Sequence, residues 1–456
     1  MTIPFFTYLV STVVLIISLL WMVKLLGNNF ILTLPGFFYV HFIVFIFLGS
    51  PVFFLLKGAD NFQYIIATHL VMLIFPLGIV IMNKLMKIKF QLVFNSYMQE
   101  PVNDEQSGNQ FIFLYLFVLG VAITVTLLYY SKLEIIPINF MINNLLGDIN
   151  ITDLAKLRES STTTFKLGKL HRYKFFMAQL IPFLVVLAML KSKLTKKNVW
   201  RILFVVLAVF AMYRSISDLQ KKPLLDFIIL LFTASWIFRG KINWKQVGIL
   251  VGVSIGILSL MYIFIMGLTD RPFLTLLEGI SSRLFLGQTA PLYYYFSLFP
   301  SSHDFVHGAS LPNPAGLFQF EHFPITKWIF VNGLNRSWEI VGTAPSAFIG
   351  EMYANFGYPS MVLSILVLSL ILQYIQIKFI TRPRTLLLTA FYAYFVFLSG
   401  QFAMTGMFIV AHLYLIIFLF TATPPTIAIS FMLYSCFLSI SNARVVRFFK
   451  ISIILF

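Results

Sequence analysis

The chain has 456 residues, of which 59% are hydrophobic and only 11% are charged, and its mean hydropathy is +0.90. A soluble domain carries roughly 25% charged residues, so this composition excludes a soluble globular protein. The net charge of +17 comes from basic residues that cluster between long uncharged runs. This clustering also excludes a nucleic-acid-binding protein, whose Lys and Arg residues would spread over a polar surface.

Long apolar runs divide the sequence along most of its length. A helix needs about 20 apolar residues to cross the hydrocarbon core of a bilayer, and on this measure the runs predict about twelve spans. The predicted spans are Ile3–Met22, Ile31–Leu56, Tyr64–Met82, Phe111–Tyr130, Phe175–Leu190, Ile202–Tyr213, Leu224–Phe238, Gly248–Met266, Pro359–Ile377, Leu386–Phe402, Gly406–Phe420 and Pro425–Ile440. The expected fold class is therefore all-α, a polytopic integral membrane protein.

Connections rich in Lys and Arg alternate along the chain, and they lie at residues 84–89, 191–201, 239–245 and 378–384. The positive-inside rule places them in the cytoplasm, so the two long polar loops, 131–172 and 268–343, are expected to be external. All acidic residues except Glu100, Asp104 and Glu105 are then external as well. The polar chemistry is thus predicted to face away from the cytoplasm.

One connection does not fit this topology. Residues 214–222 should be external, and yet they include the basic residues Arg214, Lys221 and Lys222. By the same rule an external connection should be poor in Lys and Arg. These charges therefore need a specific role or a specific partner.

Arginines recur in the two external loops. Arg158 lies in the first loop, and Arg271, Arg283 and Arg336 lie in the second. A guanidinium offers a planar fork of donors that fits phosphate oxygens in pairs, so the set predicts a phosphate-bearing ligand. The alternative for each arginine by itself is a pairing with a neighbouring acid or a lipid headgroup.

Glu351 is the main acidic candidate. It follows a stretch of small residues, 342–350, and enters a strong predicted span, which places it at or just below the external membrane surface. An ionisable residue at such depth is costly to bury unpaired and is therefore a functional candidate. The structural alternative is a salt bridge to a loop arginine. Asn355 and Gly357 are expected to be packing and turn elements.

The sequence lacks the short motifs of nucleotide- or metal-dependent enzymes. There is no Walker loop, no Rossmann glycine pattern, no His-Glu-x-x-His, no G-x-S-x-G and no Asp-x-Asp. The seven histidines are dispersed, and His41, His69 and His412, inside predicted spans, are expected to pack between helices. We therefore expect no metal, no cofactor and no nucleic acid.

Several segments together resemble the Wzy-type O-antigen polymerases, which join oligosaccharide repeat units at the Gram-negative inner membrane. They are Leu157-Arg158, the segment Arg283 to Gln288, the segment Phe299-Pro-Ser-Ser-His303-Asp-Phe-Val-His-Gly308-Ala-Ser-Leu, and the segment Ala344 to Gly357 with Glu351 inside it. The layout of most of the chain fits this family, and the specific matches lie in the C-terminal half.

The resemblance implies a GT-C-like glycosyltransferase that needs neither metal nor nucleotide and works on the periplasmic side. The growing polysaccharide on undecaprenyl diphosphate would be the donor, and one lipid-linked repeat unit would be the acceptor. Arg283 and Arg158 are then expected to bind the diphosphate, with Lys222, Arg336, Arg271 and Gln288 as further substrate-binding residues. Glu351 is the expected base, and His303 is the second choice. The family also implies a chain-length regulator and a flippase as partners.

Three other activities compete with this interpretation. An O-antigen ligase shares a helical architecture and an arginine-based lipid-diphosphate site, and the sequence separates the two poorly. A lipid-linked oligosaccharide flippase would have short loops on both faces and two related halves, unlike a chain with the loop 268–343. A membrane O-acyltransferase would need a catalytic histidine deep in a span beside a polar partner.

Overall fold

A computed structural model describes residues 3–58, 60–104, 109–133, 135–143, 173, 175–266, 273–311, 319–338 and 342–406. Within these ranges the chain is helical and has no strand, apart from an isolated bridge between Asn103 and Thr385. The contacts divide the chain into two units. Unit 1 comprises Met1–Asn103 and Ile228–Ala411, and unit 2 comprises Asp104–Phe227 and His412–Phe456.

Sixteen α-helices follow one another along the described residues, with π-helical turns at Ile43–Phe47 and Phe175–Leu180. They are α1 (Ile3–Leu26), α2 (Leu34–Phe42), α3 (Ser50–Leu56), α4 (Phe62–Leu85), α5 (Phe90–Gln99), α6 (Asn109–Tyr130), α7 (Pro137–Asn143), α8 (Ile181–Thr195), α9 (Asn198–Ile216), α10 (Lys221–Arg239), α11 (Trp244–Met266), α12 (Phe273–Leu286), α13 (Thr289–Leu298), α14 (Ile325–Asn332), α15 (Phe348–Ile380) and α16 (Leu386–Ser399).

Nine of the helical segments in the described part of the chain are long and apolar enough to cross a membrane. The multi-pass, all-helical architecture is therefore confirmed. The predicted span Leu224–Phe238 is helical but is not among the nine, because α10 also carries Lys221, Lys222 and Asp226 in its first two turns. The predicted spans Gly406–Phe420 and Pro425–Ile440 lie, except for Gly406, outside the described residues.

In unit 1, α4 and α15 pack side by side and run in the same direction. Close polar contacts join them along their length: Tyr353 Oη donates to Gln63 Oε1 at 2.6 Å, Ser369 Oγ to the Phe75 carbonyl at 2.5 Å, and Gln373 Nε2 to Asn83 Oδ1 at 2.7 Å. The parallel arrangement is the one that an alternating topology requires, since both helices would enter the bilayer from the same side.

Arg384 joins two helix ends at one end of unit 1, which we call the Arg384 end. Its guanidinium donates to the carbonyls of Met98 at 3.0 Å, Glu100, Ile237 and Phe238 at 3.2 Å. These carbonyls lie at the C-terminal ends of α5 and α10, where the helices run out of N–H donors. Of the four, the Ile237 carbonyl also accepts from the Gly240 N–H at 3.1 Å. Burial lowers the pKa of Arg384, but arginine starts so high that it keeps its charge.

The opposite end of unit 1 carries the described parts of the range 268–343, which the sequence predicts as a long loop. Helices α12, α13 and α14 lie within it, and α13 is largely buried. Thr289 Oγ1 at the start of α13 donates to the Phe285 carbonyl at 2.6 Å and lies 3.3 Å from the Phe45 carbonyl. A Cβ at Gly49 would overlap the Phe285 carbonyl. Part of this range is therefore packed into the helical bundle.

In unit 2, α6 and α8 pack in opposite directions around a buried ion pair. Lys191 Nζ contacts both oxygens of Asp104, at 2.6 and 2.7 Å, and the Lys191 side chain is only 4% exposed. Tyr115 Oη donates to the Leu184 carbonyl at 3.1 Å further along the same two helices. The charge of the buried Lys191 is thus balanced by Asp104.

We expect Arg384→Ala to destabilise the protein by about 3 kcal/mol or more, because it leaves several buried carbonyls without a donor. The measurement is the thermal unfolding midpoint of the purified full-length protein in detergent. Arg239→Ala is the matched control, since Arg239 is an exposed arginine at the same end of unit 1. Equal midpoints for the two variants would contradict this account of Arg384.

Candidate functional site

Glu351 lies in the first turn of α15, at the end of unit 1 opposite Arg384. Its side chain is half-buried, and Oε1 accepts a hydrogen bond from Ser310 Oγ at 3.3 Å. Among the described residues no ion pair includes Glu351. The alternative assignment of Glu351 to a salt bridge with a loop arginine therefore finds no partner among the described side chains.

Asn355, one turn after Glu351, fixes the direction of the hydrogen bonds around the carboxylate. Its Oδ1 accepts from the Gly308 N–H at 2.8 Å, and this bond assigns the two ends of the amide. Nδ2 then donates to Ser310 Oγ at 2.7 Å and to the Glu351 carbonyl at 2.7 Å. Since Ser310 Oγ accepts from Asn355, its own hydrogen is free to donate to the carboxylate.

A break in α15 lies next to this network and frees a backbone carbonyl of the helix. Phe356 and Gly357 have non-helical dihedral angles, and Gly357 has a φ of +75°, which only glycine adopts readily. Pro359 cannot donate to the carbonyl of Asn355, four residues earlier. The His307 N–H donates to that carbonyl instead at 3.1 Å.

The segment 306–310, which we call the docking segment, therefore supplies the donors that α15 lacks at its break. Besides His307, the Val306 N–H donates to the Ala354 carbonyl at 3.0 Å, and Ser310 and the Gly308 N–H bond to the side chains already described. Irregular backbone at membrane depth must be paired within the protein. The docking segment meets that requirement and positions Glu351 at the same time.

Gly406 contacts the carboxylate from another side, and a buried tyrosine lies near it. Gly406 lies so close to Glu351 Oε2 that a Cβ at position 406 would overlap this oxygen. Tyr295 of α13 is fully buried beside Gly350; burial raises the pKa of Tyr295, and the nearby Glu351 charge adds to the rise. Oε1 therefore has a hydroxyl donor, whereas Oε2 faces a residue without a side chain.

The predicted binding residues of unit 1 lie, like the docking segment, in the part of the chain between α11 and α15. Arg283 is exposed in the last turn of α12, and Arg336 is exposed after α14. The Gln288 carbonyl accepts from Ser346 Oγ at 3.2 Å, while Gln288 Oε1 is buried without a hydrogen-bond partner among the described residues. The structure joins none of these side chains directly to Glu351.

His303, the second choice for a base, lies in an aromatic environment. Its Nδ1 is 2.6 Å from the Asp304 carbonyl, and its ring packs against Phe299, Phe323 and Trp328. Lys222 belongs to unit 2, and Arg158 and Arg271 lie outside the described residues.

Neighbouring acids account for two of the basic residues in the connection 214–222. Arg214 Nη1 is 3.4 Å from Asp218 Oδ2, and Lys222 Nζ is 3.2 Å from Asp226 Oδ2, each pair being four residues apart. The third, Lys221, also has an interaction partner. The unexpected positive charge of this connection is thus largely neutralised within unit 2.

Of the histidines expected to pack between helices, His41 and His69 are described. Each ring contacts, through Nδ1, the carbonyl four residues earlier in its own helix, at 3.0 and 2.7 Å, and His69 Nε2 is 3.0 Å from Ser11 Oγ. His69 thus contacts α1 through Ser11, and the His41 ring lies against Gly400. His412 lies outside the described residues. No group of three His, Cys, Asp or Glu residues within the described ranges could hold a metal ion.

The sequence interpretation missed Ser310 and Gly406, and it assigned Asn355 to packing alone. The spacing of Glu351 and Asn355 was an available signal, because residues four apart share a helix face.

Comparisons of the chain with protein-family models, with curated proteins and with solved structures found no match.

We expect Asn355→Ala to lower the thermal unfolding midpoint, with a destabilisation of about 1–3 kcal/mol for the buried donors and acceptors left unpaired. Asn355 is fully buried, so water cannot replace the lost bonds directly. Phe356→Ala serves as the control, because the neighbouring Phe356 side chain is 48% exposed. An Asn355→Ala midpoint equal to that of the control would contradict the role given to this network.

Proposed function

We propose that this protein is a glycosyltransferase that polymerises lipid-linked oligosaccharide repeat units, an O-antigen polymerase. It would work at the periplasmic face of a bacterial inner membrane, with a GT-C-like arrangement of spans. Its donor would be the growing polysaccharide on undecaprenyl diphosphate, and its acceptor a lipid-linked repeat unit. A chain-length regulator and a flippase would be its partners in the membrane.

The observation that supports this proposal most is the setting of Glu351. A half-buried carboxylate, with one oxygen held by a hydroxyl and no cation bonded to it among the described residues, is suited to accept a proton. Its end of unit 1 is opposite the basic connections that the positive-inside rule places in the cytoplasm. The carboxylate would therefore face the compartment where lipid-linked repeat units are joined.

The proposed reaction needs only acid–base chemistry and charge stabilisation. Glu351 takes the proton of the acceptor hydroxyl while the oxygen of that hydroxyl attacks the anomeric carbon of the polysaccharide. The bond from that carbon to the diphosphate oxygen breaks, and the electron pair leaves with undecaprenyl diphosphate. Fixed cations lower the cost of the negative charge that develops on this leaving group.

Arg283 is the proposed main ligand of the diphosphate. It is exposed at the end of α12, and no described acid neutralises it. Arg158, Arg271 and Arg336 are proposed as further cations. Lys222 has a lesser role in this scheme, because Asp226 already pairs with it. Gln288 is proposed as a further substrate-binding residue.

Glu351→Gln keeps the shape of the side chain but removes the base, so we expect the polymerisation rate to fall by about 10²–10⁴-fold. The readout is the ladder of polymer lengths on a gel of lipopolysaccharide from a strain whose own gene is deleted and complemented. A polymerase variant leaves single-repeat lipopolysaccharide, whereas a ligase variant leaves bare core. A wild-type ladder at wild-type expression would end the assignment of Glu351 as the base.

Gly406→Ala reaches the same carboxylate by another route. The added methyl group would overlap Glu351 Oε2, so this variant should also lose long polymer. Gly252→Ala is the matched control, because nothing lies within 4 Å of a Cβ at position 252. A normal ladder in both variants would show that Oε2 is not needed in its observed position.

Arg283→Ala should weaken polymerisation without destabilising the fold, because the side chain is exposed. We expect a loss of about 10²-fold, similar to the removal of one donor from a site that stabilises developing negative charge. The ladder and the thermal unfolding midpoint are measured on the same preparation. If the ladder is unchanged at normal expression, Arg283 has no part in the mechanism.

A further inference from the structure

His303 lies within a cluster of aromatic rings next to the docking segment. Its ring centroid is 4.9 Å from that of Phe323 and 5.2 Å from that of Trp328, and Phe299 lies beneath at 5.4 Å. Phe299 is buried, whereas the other three rings are half-buried. We call Phe323, Trp328 and His303 the aromatic subsite.

The polar atoms of His303 are unequal. Nδ1 lies 2.6 Å from the Asp304 carbonyl, so it must be the protonated nitrogen that donates to this oxygen. In the neutral ring, Nε2 is then an acceptor. No described residue is bonded to Nε2, so among the described residues nothing competes with a ligand hydroxyl for this atom.

Hydrogen bonds connect the aromatic subsite to Glu351 through few residues. The Phe323 N–H donates to the Ala309 carbonyl at 2.9 Å, and the next residue, Ser310, donates to Glu351 Oε1. Val306 and His307 of the docking segment bond to the same helix, α15. The rings are therefore held in a defined relation to the carboxylate rather than on an independent loop.

We infer that the aromatic subsite binds a sugar ring of the saccharide substrate beside the Glu351 carboxylate. This inference rests on the proposed function. The faces of Phe323 and Trp328 offer apolar surface to the C–H groups of a pyranose, and His303 Nε2 accepts from one of its hydroxyls. His303 is then a binding residue, and Glu351 alone serves as the base.

The test measures binding without turnover. The probe is the free oligosaccharide repeat unit, released by mild acid from the surface polysaccharide of the source strain. It is titrated calorimetrically into purified full-length protein that carries Glu351→Gln. Trp328→Leu, added to this parent, should weaken binding by about tenfold or more, as removal of an aromatic anchor does at binding surfaces.

His303→Gln should weaken the same binding by roughly two- to tenfold, the effect of losing one hydrogen bond. Trp338→Leu is the matched control, because Trp338 is 55% exposed on the segment that follows α14 and lies outside the aromatic subsite. It should bind the probe like the parent. Trp328→Phe, which keeps an aromatic face, is the second variant and should retain most of the affinity.

Several results would overturn the inference. They are a parent that does not bind the repeat unit, variants of His303 and Trp328 with parental affinity, and a Trp338→Leu loss as large as that of Trp328→Leu. If both tryptophan variants change only the amount of protein in the membrane fraction, the rings anchor the protein at the bilayer surface instead. A ladder that survives Glu351→Gln would end only the assignment of Glu351 as the base, whereas a ladder that survives deletion of the gene would defeat the proposed function. In both cases the sugar affinities would still report on the subsite.

Discussion

The need to pair every backbone polar group inside a bilayer governs the arrangement of unit 1. A proline and a left-handed glycine interrupt α15 within a segment that has the composition of a span, and the interruption releases carbonyls from the helical pattern. Backbone N–H groups of Val306 and His307 bond to them. Because this pairing fixes the docking segment against α15, it also fixes Ser310 against Glu351. The most polar part of the site is thus a consequence of repairing a broken helix.

The two ends of unit 1 solve the same problem with different chemistry. At the Arg384 end a single buried guanidinium bonds to carbonyls of two helix termini, so its donors are used within the protein. At the Glu351 end neutral backbone N–H groups bond to the free carbonyls. The Glu351 carboxylate there accepts one hydrogen bond, from Ser310, among the described residues. The first end is therefore built as a joint between helices. The second keeps a titratable oxygen that a substrate hydroxyl can reach in the proposed reaction.

Much of the fold could be predicted from hydropathy, because a run of about 20 apolar residues has few alternatives to a membrane span. The nine spans of the described residues all lie on predicted runs. Charge patterns were less informative at residues 214–222. The excess of basic residues there is balanced by Asp218 and Asp226, a pairing that the four-residue spacing allowed and that a count of Lys and Arg alone overlooks.

The candidate site was only partly predictable, since its contacts join residues far apart in the sequence. Glu351 could be found from its depth in a span, but Ser310 and Gly406 become relevant only when the chain folds. The docking segment precedes α15 in the chain, so its amide donors have been synthesised before the interrupted helix that needs them emerges from the ribosome. The order of synthesis thus lets the break find its bonding partners as soon as it forms, and α15 need not wait in lipid with open carbonyls.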